Sequence, residues 1–187
     1  MAEHHVCPWW LGYTFLGPIR RWSTGNPEEL FAGYVKEGMT VLEPGPAMGF
    51  FTLPLARMVG PTGRVIAVDI QPKMLEVLVR RARRAGLKDR IETRLVQPER
   101  MNLDDLNGKV DFALAFAMVH EVPSDTEFFS AMATALKPRQ FLFFAEPVGH
   151  VKEEDFQREL EVAQAEGFEI VENPIVRRSQ AAVLRKL

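Results

Sequence analysis

The sequence has little of what marks several common classes of protein. Cys7 is the only cysteine among 187 residues, so neither an intrachain disulfide nor a cysteine-based zinc cluster can form. The most apolar stretch, residues 110–119, is far shorter than the ~20 residues that span a bilayer. The first residues lack the basic start and apolar run of a signal peptide. We therefore expect a cytoplasmic protein with no membrane partner.

A strong charge of one sign is also missing. The chain has 23 Lys and Arg against 25 Asp and Glu, a net charge of −2. Nothing in this balance calls for a polyanionic partner, so we do not expect nucleic acid. A basic cluster on one predicted helix is interpreted as a solvated face; it comprises Lys73, Arg80, Arg81, Arg83 and Arg84.

Short apolar runs alternate with amphipathic runs after an aromatic N-terminal segment of residues 1–38. This alternation is typical of a parallel sheet covered by helices. The patterns predict strands at 40–42, 64–69, 91–96, 110–119 and 141–145, and helices at 50–59, 72–85, 126–136 and 153–166. Met74, Leu75, Leu78, Ala82 and Ala85 share the apolar face of the second helix. Two late strands, 168–171 and 181–184, have no helix between them, which predicts an antiparallel pair.

The most informative stretch is residues 41–51, VLEPGPAMGFF. A strand ends at Glu43, a glycine-containing turn follows, and a helix begins directly. Glycines let a backbone approach a ligand closely, and a helix N-terminus offers free N–H groups to a carboxylate. Asp69 ends the next strand, 20 residues after Gly49, where its carboxylate can accept hydrogen bonds from a ribose. A nicotinamide-binding loop usually reads G-x-G-x-x-G, whereas the spacing here is G-x-x-x-G, which disfavours a dehydrogenase.

This pattern resembles the class I S-adenosylmethionine-dependent methyltransferases, in the broad group that includes the quinone-biosynthesis methyltransferases. Their first motif, an acid followed by G-x-G-x-G, corresponds to Glu43, Gly45, Ala47 and Gly49. Their second acid corresponds to Asp69, their fourth strand to residues 111–116, and the Leu-Lys-Pro turn before strand five to residues 136–138. The resemblance covers residues 39–187. It implies an α/β fold, a Rossmann-like doubly wound seven-stranded sheet with an antiparallel last strand.

The resemblance also implies that S-adenosylmethionine is the cofactor, that S-adenosylhomocysteine is its product, and that particular residues bind it. Gly45 and Gly49 would cradle the amino-acid part of the cofactor, and Glu43 would lie near its ammonium group. Asp69 would hold the ribose. The acidic residue that the family often has after strand three is replaced here by Gln97-Pro98-Glu99, of which either Gln97 or Glu99 would bond the adenine amino group.

Two residues of the loop depart from the family pattern. Ala47 stands where the middle glycine is usual and adds a methyl group where backbone and ligand nearly touch. Pro46 removes a backbone N–H from the same loop. A non-catalytic cofactor-binding or scaffold protein with a lapsed site therefore remains the alternative to an enzyme.

Candidate catalytic residues follow the predicted fourth and fifth strands. His120 is the candidate general base, because an imidazole titrates near pH ~6.5. Glu121 would orient it or bind a cationic acceptor. Glu146 and His150 are expected to contact the substrate. A metal site built from these residues together with His4, His5 and Cys7 stays open as an alternative, although we expect no metal.

The aromatic N-terminal segment has no counterpart in these motifs. Trp9, Trp10 and Tyr13 supply apolar bulk, and we interpret residues 1–38 as a lid or strap that walls the acceptor pocket. Without an added recognition domain, the methyl acceptor is expected to be a small molecule. The sequence does not identify that acceptor, and it leaves a homo-oligomer open.

Overall fold

The computed structural model describes residues 24–98 and 100–187. The described chain divides into two compact units, one up to Gln97 and the other from Pro98 to Leu187. Among the described residues, no helix is long and apolar enough to cross a membrane.

The first unit carries three parallel strands, with β2 between β1 and β3. The strands are β1 (Thr40–Pro44), β2 (Arg64–Asp69) and β3 (Ile91–Leu95). The helices are α1 (Pro27–Phe31), α2 (Thr52–Met58) and α3 (Pro72–Arg84), followed by a 3-10 turn at Lys88–Arg90. Proline in the first turn of α3 suits a helix start, because its missing N–H needs no partner there.

The second unit combines a parallel pair with an antiparallel pair. Its strands are β4 (Val110–Phe116), β5 (Leu136–Pro147), β6 (Phe168–Glu172) and β7 (Ser179–Lys186). Its helices are α4 (Asp125–Ala135) and α5 (Glu153–Ala165), with 3-10 turns at Asp104–Leu106 and Val119–Glu121. β4 runs parallel to β5, and β7 lies antiparallel to both β5 and β6.

An aromatic cluster fills the core of this second unit. The Phe129 ring meets the rings of Phe128, Phe144 and Phe168 edge to face, at centroid distances between 5.3 and 6.4 Å. All four rings are buried. Such edge-to-face pairs add to the stabilisation from apolar burial, so this cluster fixes α4 against the sheet.

The seven strands form one mixed sheet in the order β3-β2-β1-β4-β5-β7-β6. The prediction of a Rossmann-like seven-stranded sheet with an antiparallel last strand is confirmed.

Strand β5 is interrupted near its start. Leu136 pairs with Val110, but the next pair joins Phe112 to Phe141. Residues 137–140 of β5 therefore form a short excursion that is not paired in register with β4. Arg139 takes a positive φ of 64° within it, and Lys137 forms an ion pair with the Asp111 carboxylate. The Leu-Lys-Pro segment, predicted as a turn before the strand, therefore lies inside the strand's bounds as part of this excursion.

Two other sequence predictions are wrong in detail. The strand predicted to reach residue 119 ends at Phe116, because Ala117 takes a positive φ of 58° and a 3-10 turn begins at Val119. Ala85 was predicted on the buried face of α3, but it caps the helix and is exposed. Val77 is buried on that face instead.

Candidate active site

The segment between β1 and α2 forms a tight loop with three left-handed residues. Gly45, Ala47 and Gly49 have φ values of 66°, 47° and 83°. The Gly45 N–H donates to the Val68 carbonyl at 2.9 Å, which ties the loop to β2. The Gly49 N–H donates to the Pro46 carbonyl at 2.9 Å and closes the turn. Pro46 has no backbone N–H to donate, but its carbonyl oxygen accepts the hydrogen bond that closes the loop.

Ala47 adopts a conformation that normally favours glycine. The left-handed region costs an alanine roughly 1–2 kcal/mol, because its Cβ approaches the following carbonyl. Ala47 packs against a buried cluster of Met48, Met74 and Val77. These apolar contacts offset part of the backbone strain.

The end of the loop is held by two residues of α3. A Cβ atom at Gly49 would overlap Leu78 Cδ1, so only glycine fits this approach. The Arg81 guanidinium donates a hydrogen bond to the Met48 carbonyl. Arg81 is half-buried, and burial lowers its pKa. The prediction that the whole basic cluster is a solvated face is therefore wrong for Arg81, which anchors the loop.

Glu43 is a buried carboxyl immediately before this loop. Its side chain is 3 % exposed, and its Oε2 atom has no hydrogen-bond partner among the described residues. Burial raises the pKa of Glu43 to about 8; the nearby Thr52 hydroxyl opposes that shift and the Asp69 carboxylate adds to it. A buried oxygen without a donor favours a ligand group that supplies one, and an ammonium suits it best.

Asp69 lies where β2 ends. Its Oδ1 accepts a hydrogen bond from the Gln71 N–H at 2.8 Å, and its carbonyl accepts from the Val96 N–H at 3.1 Å. Gln97 follows β3 and is exposed. Glu99, the other candidate for the adenine group, lies outside the described residues. The loop, Glu43 and Asp69 thus lie at the ends of the neighbouring strands β1 and β2, where the sequence predicts the cofactor site.

In the second unit, His120 and Glu146 form a hydrogen-bonded pair. Glu146, at the end of β5, is fully buried. Its Oε2 lies 2.6 Å from His120 Nδ1. Its Oε1 accepts from the Val119 N–H at 2.8 Å and from the His120 N–H at 3.3 Å. The same carboxylate therefore orients the imidazole and holds the turn that carries it.

The pair leaves the other nitrogen of His120 available. With Nδ1 bonded to Glu146, the neutral imidazole carries its lone pair on Nε2, which lies 3.9 Å from Glu121 Oε1. The His120 side chain is 26 % exposed. Burial lowers the pKa of His120, but the hydrogen bond and charge of Glu146, aided by Glu121 and Glu159, outweigh it, so the net pKa is raised. This arrangement can accept a proton at Nε2 and stabilise the resulting cation.

Glu159 is a residue that the sequence analysis missed. It lies on α5, is 3 % exposed, and has an Oε2 atom without a partner among the described residues. Burial raises its pKa to about 8, with the negative charges of Glu146 and Asp125 adding to the shift. A glutamate in the acidic, helix-forming sequence of α5 gives no local signal of burial.

The remaining candidates are placed less closely. The His150 ring lies 6.3 Å from the His120 ring, centroid to centroid, and His150 is exposed. Within residues 24–98 and 100–187, no three His, Cys, Asp or Glu side chains are grouped so that they could hold a metal. Trp9, Trp10 and Tyr13, like His4, His5 and Cys7, lie outside the described residues.

Residues 35–180 match the family described as a methyltransferase domain, which is well over half of the sequence. The chain belongs to this methyltransferase family.

Relatives of this methyltransferase differ in what their names say they act on. The catechol O-methyltransferase of Mycobacterium tuberculosis is 43% identical over 79 residues, which cover 42% of this chain and 35% of that protein. The ribosomal RNA large subunit methyltransferase E of Oleidesulfovibrio alaskensis is 51% identical over 39 residues, 21% of this chain and 19% of that protein. The matches thus span about a third or less of these curated relatives.

A solved structure covers nearly the whole methyltransferase. The SAM-dependent methyltransferase of Aquifex aeolicus superposes with a TM-score of 0.83, covering 96% of this chain and 98% of that one. Sequence identity is 23%, so this likeness concerns the fold.

The second unit of the methyltransferase also contains a cavity that no sequence prediction included. Its volume is about 380 Å³, and its walls come from residues 100–107 together with Pro98, from residues 122–124, and from α4 as far as Thr134. Apolar side chains, including Leu103, Val122 and Phe128, share the lining with the polar residues Arg100 and Glu127. Val122, which lies two residues after His120 in the sequence, is one of the residues that line the cavity.

Proposed function

We propose that this methyltransferase transfers a methyl group from S-adenosylmethionine to a small-molecule acceptor and releases S-adenosylhomocysteine. The observation that carries the proposal is the buried Glu43 carboxyl with an unpartnered oxygen, set beside a left-handed loop. An α-amino group would give that oxygen both a donor and a positive charge. The Thr52 hydroxyl, where the loop enters α2, is also buried without a hydrogen-bond partner among the described residues.

In this proposal, residues of the first unit bind the amino-acid and ribose parts of the cofactor. Gly45 and Gly49 expose loop backbone to the amino-acid part, and Asp69 accepts hydrogen bonds from the ribose hydroxyls. Gln97 or Glu99 bonds the adenine amino group. Bound S-adenosylmethionine supplies the electrophilic methyl group, which an acceptor attacks in line.

His120 is the proposed base. Its Nε2 takes the proton of the acceptor, and Glu146 stabilises the imidazolium through Nδ1. Because the pKa of His120 is raised, the neutral form that acts as base grows as pH rises through that pKa. Turnover is therefore expected to increase toward alkaline pH. Glu121 orients the imidazole or binds a cationic acceptor.

A small-molecule acceptor is supported by the size of the cavity in the second unit. Ligand sites generally have volumes of roughly 300–1,000 Å³, and this cavity has about 380 Å³. The net charge of −2 gives no support for a nucleic-acid substrate. We propose Trp9, Trp10, Tyr13 and His150 as further contacts of the acceptor, and the single cysteine supports a reducing, cytoplasmic setting.

The decisive experiment combines calorimetry with a turnover assay. S-adenosylmethionine and S-adenosylhomocysteine are expected to bind, and NAD is not. Release of S-adenosylhomocysteine is then followed over a panel of phenols, thiols and amines. His120→Ala should lower turnover by ~10²–10⁴-fold while sparing cofactor affinity.

Glu161→Ala is the control, since it removes an exposed side chain that has no role in the proposed site. NAD binding without S-adenosylhomocysteine binding would refute the proposal. Tight cofactor binding with no turnover on any acceptor would favour the scaffold alternative.

A further inference from the structure

Glu159 is a buried acid for which the proposed reaction has no use. Phe156, three residues earlier on α5, stacks on Phe144 of β5 with ring centroids 5.1 Å apart, so the helix that carries Glu159 packs on the strand that carries Glu146. The charges of Glu146, of Asp125 on α4 and of His120 in the 3-10 turn act on Glu159, as does Arg158 on its own helix. Arg158 is itself engaged with Asp155, at 2.7 Å. No described group donates a hydrogen bond to Glu159 Oε2. The surroundings therefore disfavour a negative charge on this side chain.

Glu146 differs from Glu159 in its hydrogen bonds. Three donors serve Glu146: two backbone N–H groups and the His120 ring. Two neighbouring carboxyls in a buried site cannot both ionise without a large cost. The proton goes to the carboxyl with fewer donors, because donors stabilise the charged form. Glu146 keeps the charge and Glu159 keeps the proton.

We propose that Glu159 is a positioning residue that, as a neutral acid, leaves the negative charge beside His120 on its hydrogen-bond partner Glu146. The inference rests on the proposed role of His120 as a base. A second buried negative charge would bind the imidazolium proton more tightly. The base would then be held in its protonated, inactive form. A neutral Glu159 keeps His120 able to exchange its proton.

Ionisation of Glu159 should therefore raise the affinity of His120 for its proton. The pKa of Glu159 is raised to about 8, so the acid is neutral below that pH. Above it, the new charge increases the affinity of His120 for its proton. The titration of His120 should therefore be broader than that of a single site. Its upper part should coincide with the ionisation of Glu159.

Nuclear magnetic resonance of the full chain tests this without cofactor or acceptor. The ring of His120 and the side-chain carboxyl carbon of Glu159 are followed from pH 5 to pH 10. In the wild type, Glu159 should titrate near pH 8 and His120 should show the broadened curve. Glu159→Gln should give His120 a single-site curve. Glu159→Met also lacks a charge and should give the same single-site curve, so it replaces Glu159→Gln if that variant folds poorly.

Glu161→Gln is the matched control, because it removes an exposed glutamate from the same helix. It should leave the His120 curve unchanged. A Glu159 carboxyl that titrates below pH 5, or identical His120 curves in the wild type and both Glu159 variants, would overturn the inference. Because this titration uses the protein without cofactor or acceptor, a negative result here is distinct from a failure of the proposed methyl transfer.

Discussion

Replacing Glu43 with glutamine probes both the folding and the ligand binding of the first unit. Folding raises the pKa of Glu43 from 4.5 to about 8, chiefly through burial. The folded chain therefore binds more protons than the unfolded chain between these values. The contribution of the neutral Glu43 carboxyl to the free energy of unfolding is therefore fully present below pH 4.5 and is lost as pH rises through 8.

The size of the effect follows from the two pKa values. Each pH unit between them costs about 1.4 kcal/mol, so the penalty reaches about 3 kcal/mol at pH 7 and about 5 kcal/mol above pH 8. Glu43→Gln keeps the shape and cannot ionise. Its free energy of unfolding should match the wild type near pH 4.5 and exceed it by about 3 kcal/mol at pH 7.

Urea denaturation at several pH values measures this difference. Glu37→Gln is the control, because it removes an exposed carboxyl close in sequence and should show no such trend. A Glu43→Gln difference that stays constant between pH 4.5 and pH 8 would refute the assignment of a buried, protonated acid.

Cofactor binding should reverse the protonation of Glu43. Pairing with the ammonium of S-adenosylmethionine requires the carboxylate, so binding near pH 6 to 7 should release close to one proton. Calorimetry in buffers of different ionisation enthalpy counts that proton. Glu43→Gln should release none and bind more weakly. Equal proton release by both proteins would show that the ammonium does not meet Glu43.

Three further predictions concern the cofactor site and the N-terminal segment. Asp69→Ala should weaken S-adenosylhomocysteine binding by roughly 1.5–3 kcal/mol, and an unchanged dissociation constant would remove Asp69 from the site. Ala47→Gly relieves a left-handed alanine but loses a packed methyl group worth ~0.8 kcal/mol, so unfolding free energy and cofactor affinity should change little. A severe loss of affinity in a folded Ala47→Gly protein would contradict this. Deleting residues 1–15 should spare cofactor binding in calorimetry yet abolish turnover, and full activity would end the lid hypothesis.

The sequence predicts the parts of the fold that short-range patterns determine. The strand, loop and helix around Glu43 appear directly as an apolar run, two glycines and a helical run. The antiparallel ending follows from the missing helix before β7. Asp69 is found because a strand pattern ends there.

The sequence predicts less where side chains from distant segments decide the outcome. The burial of Glu159 depends on how α5 packs on β5, where Phe156 stacks on Phe144, and no local pattern in the sequence shows that packing. Arg81 looks like its solvated neighbours until its hydrogen bond to the Met48 carbonyl is seen. The apolar run after residue 116 reads as more strand, although Ala117 turns the chain. Glu146 was expected to contact substrate, whereas all of its described hydrogen bonds go to the turn that carries His120.

The excursion in β5 makes chain length adjustable at one place in the sheet. Pro138 and Arg139 are exposed within it, and the strand beyond is paired on both sides, from Phe141 to Ala145 with β4 and β7. Added residues would therefore enlarge a surface bulge without shifting the register of the strand that carries Glu146. A labelling tag or a reporter peptide inserted between Pro138 and Arg139 would leave the base and its partner in place.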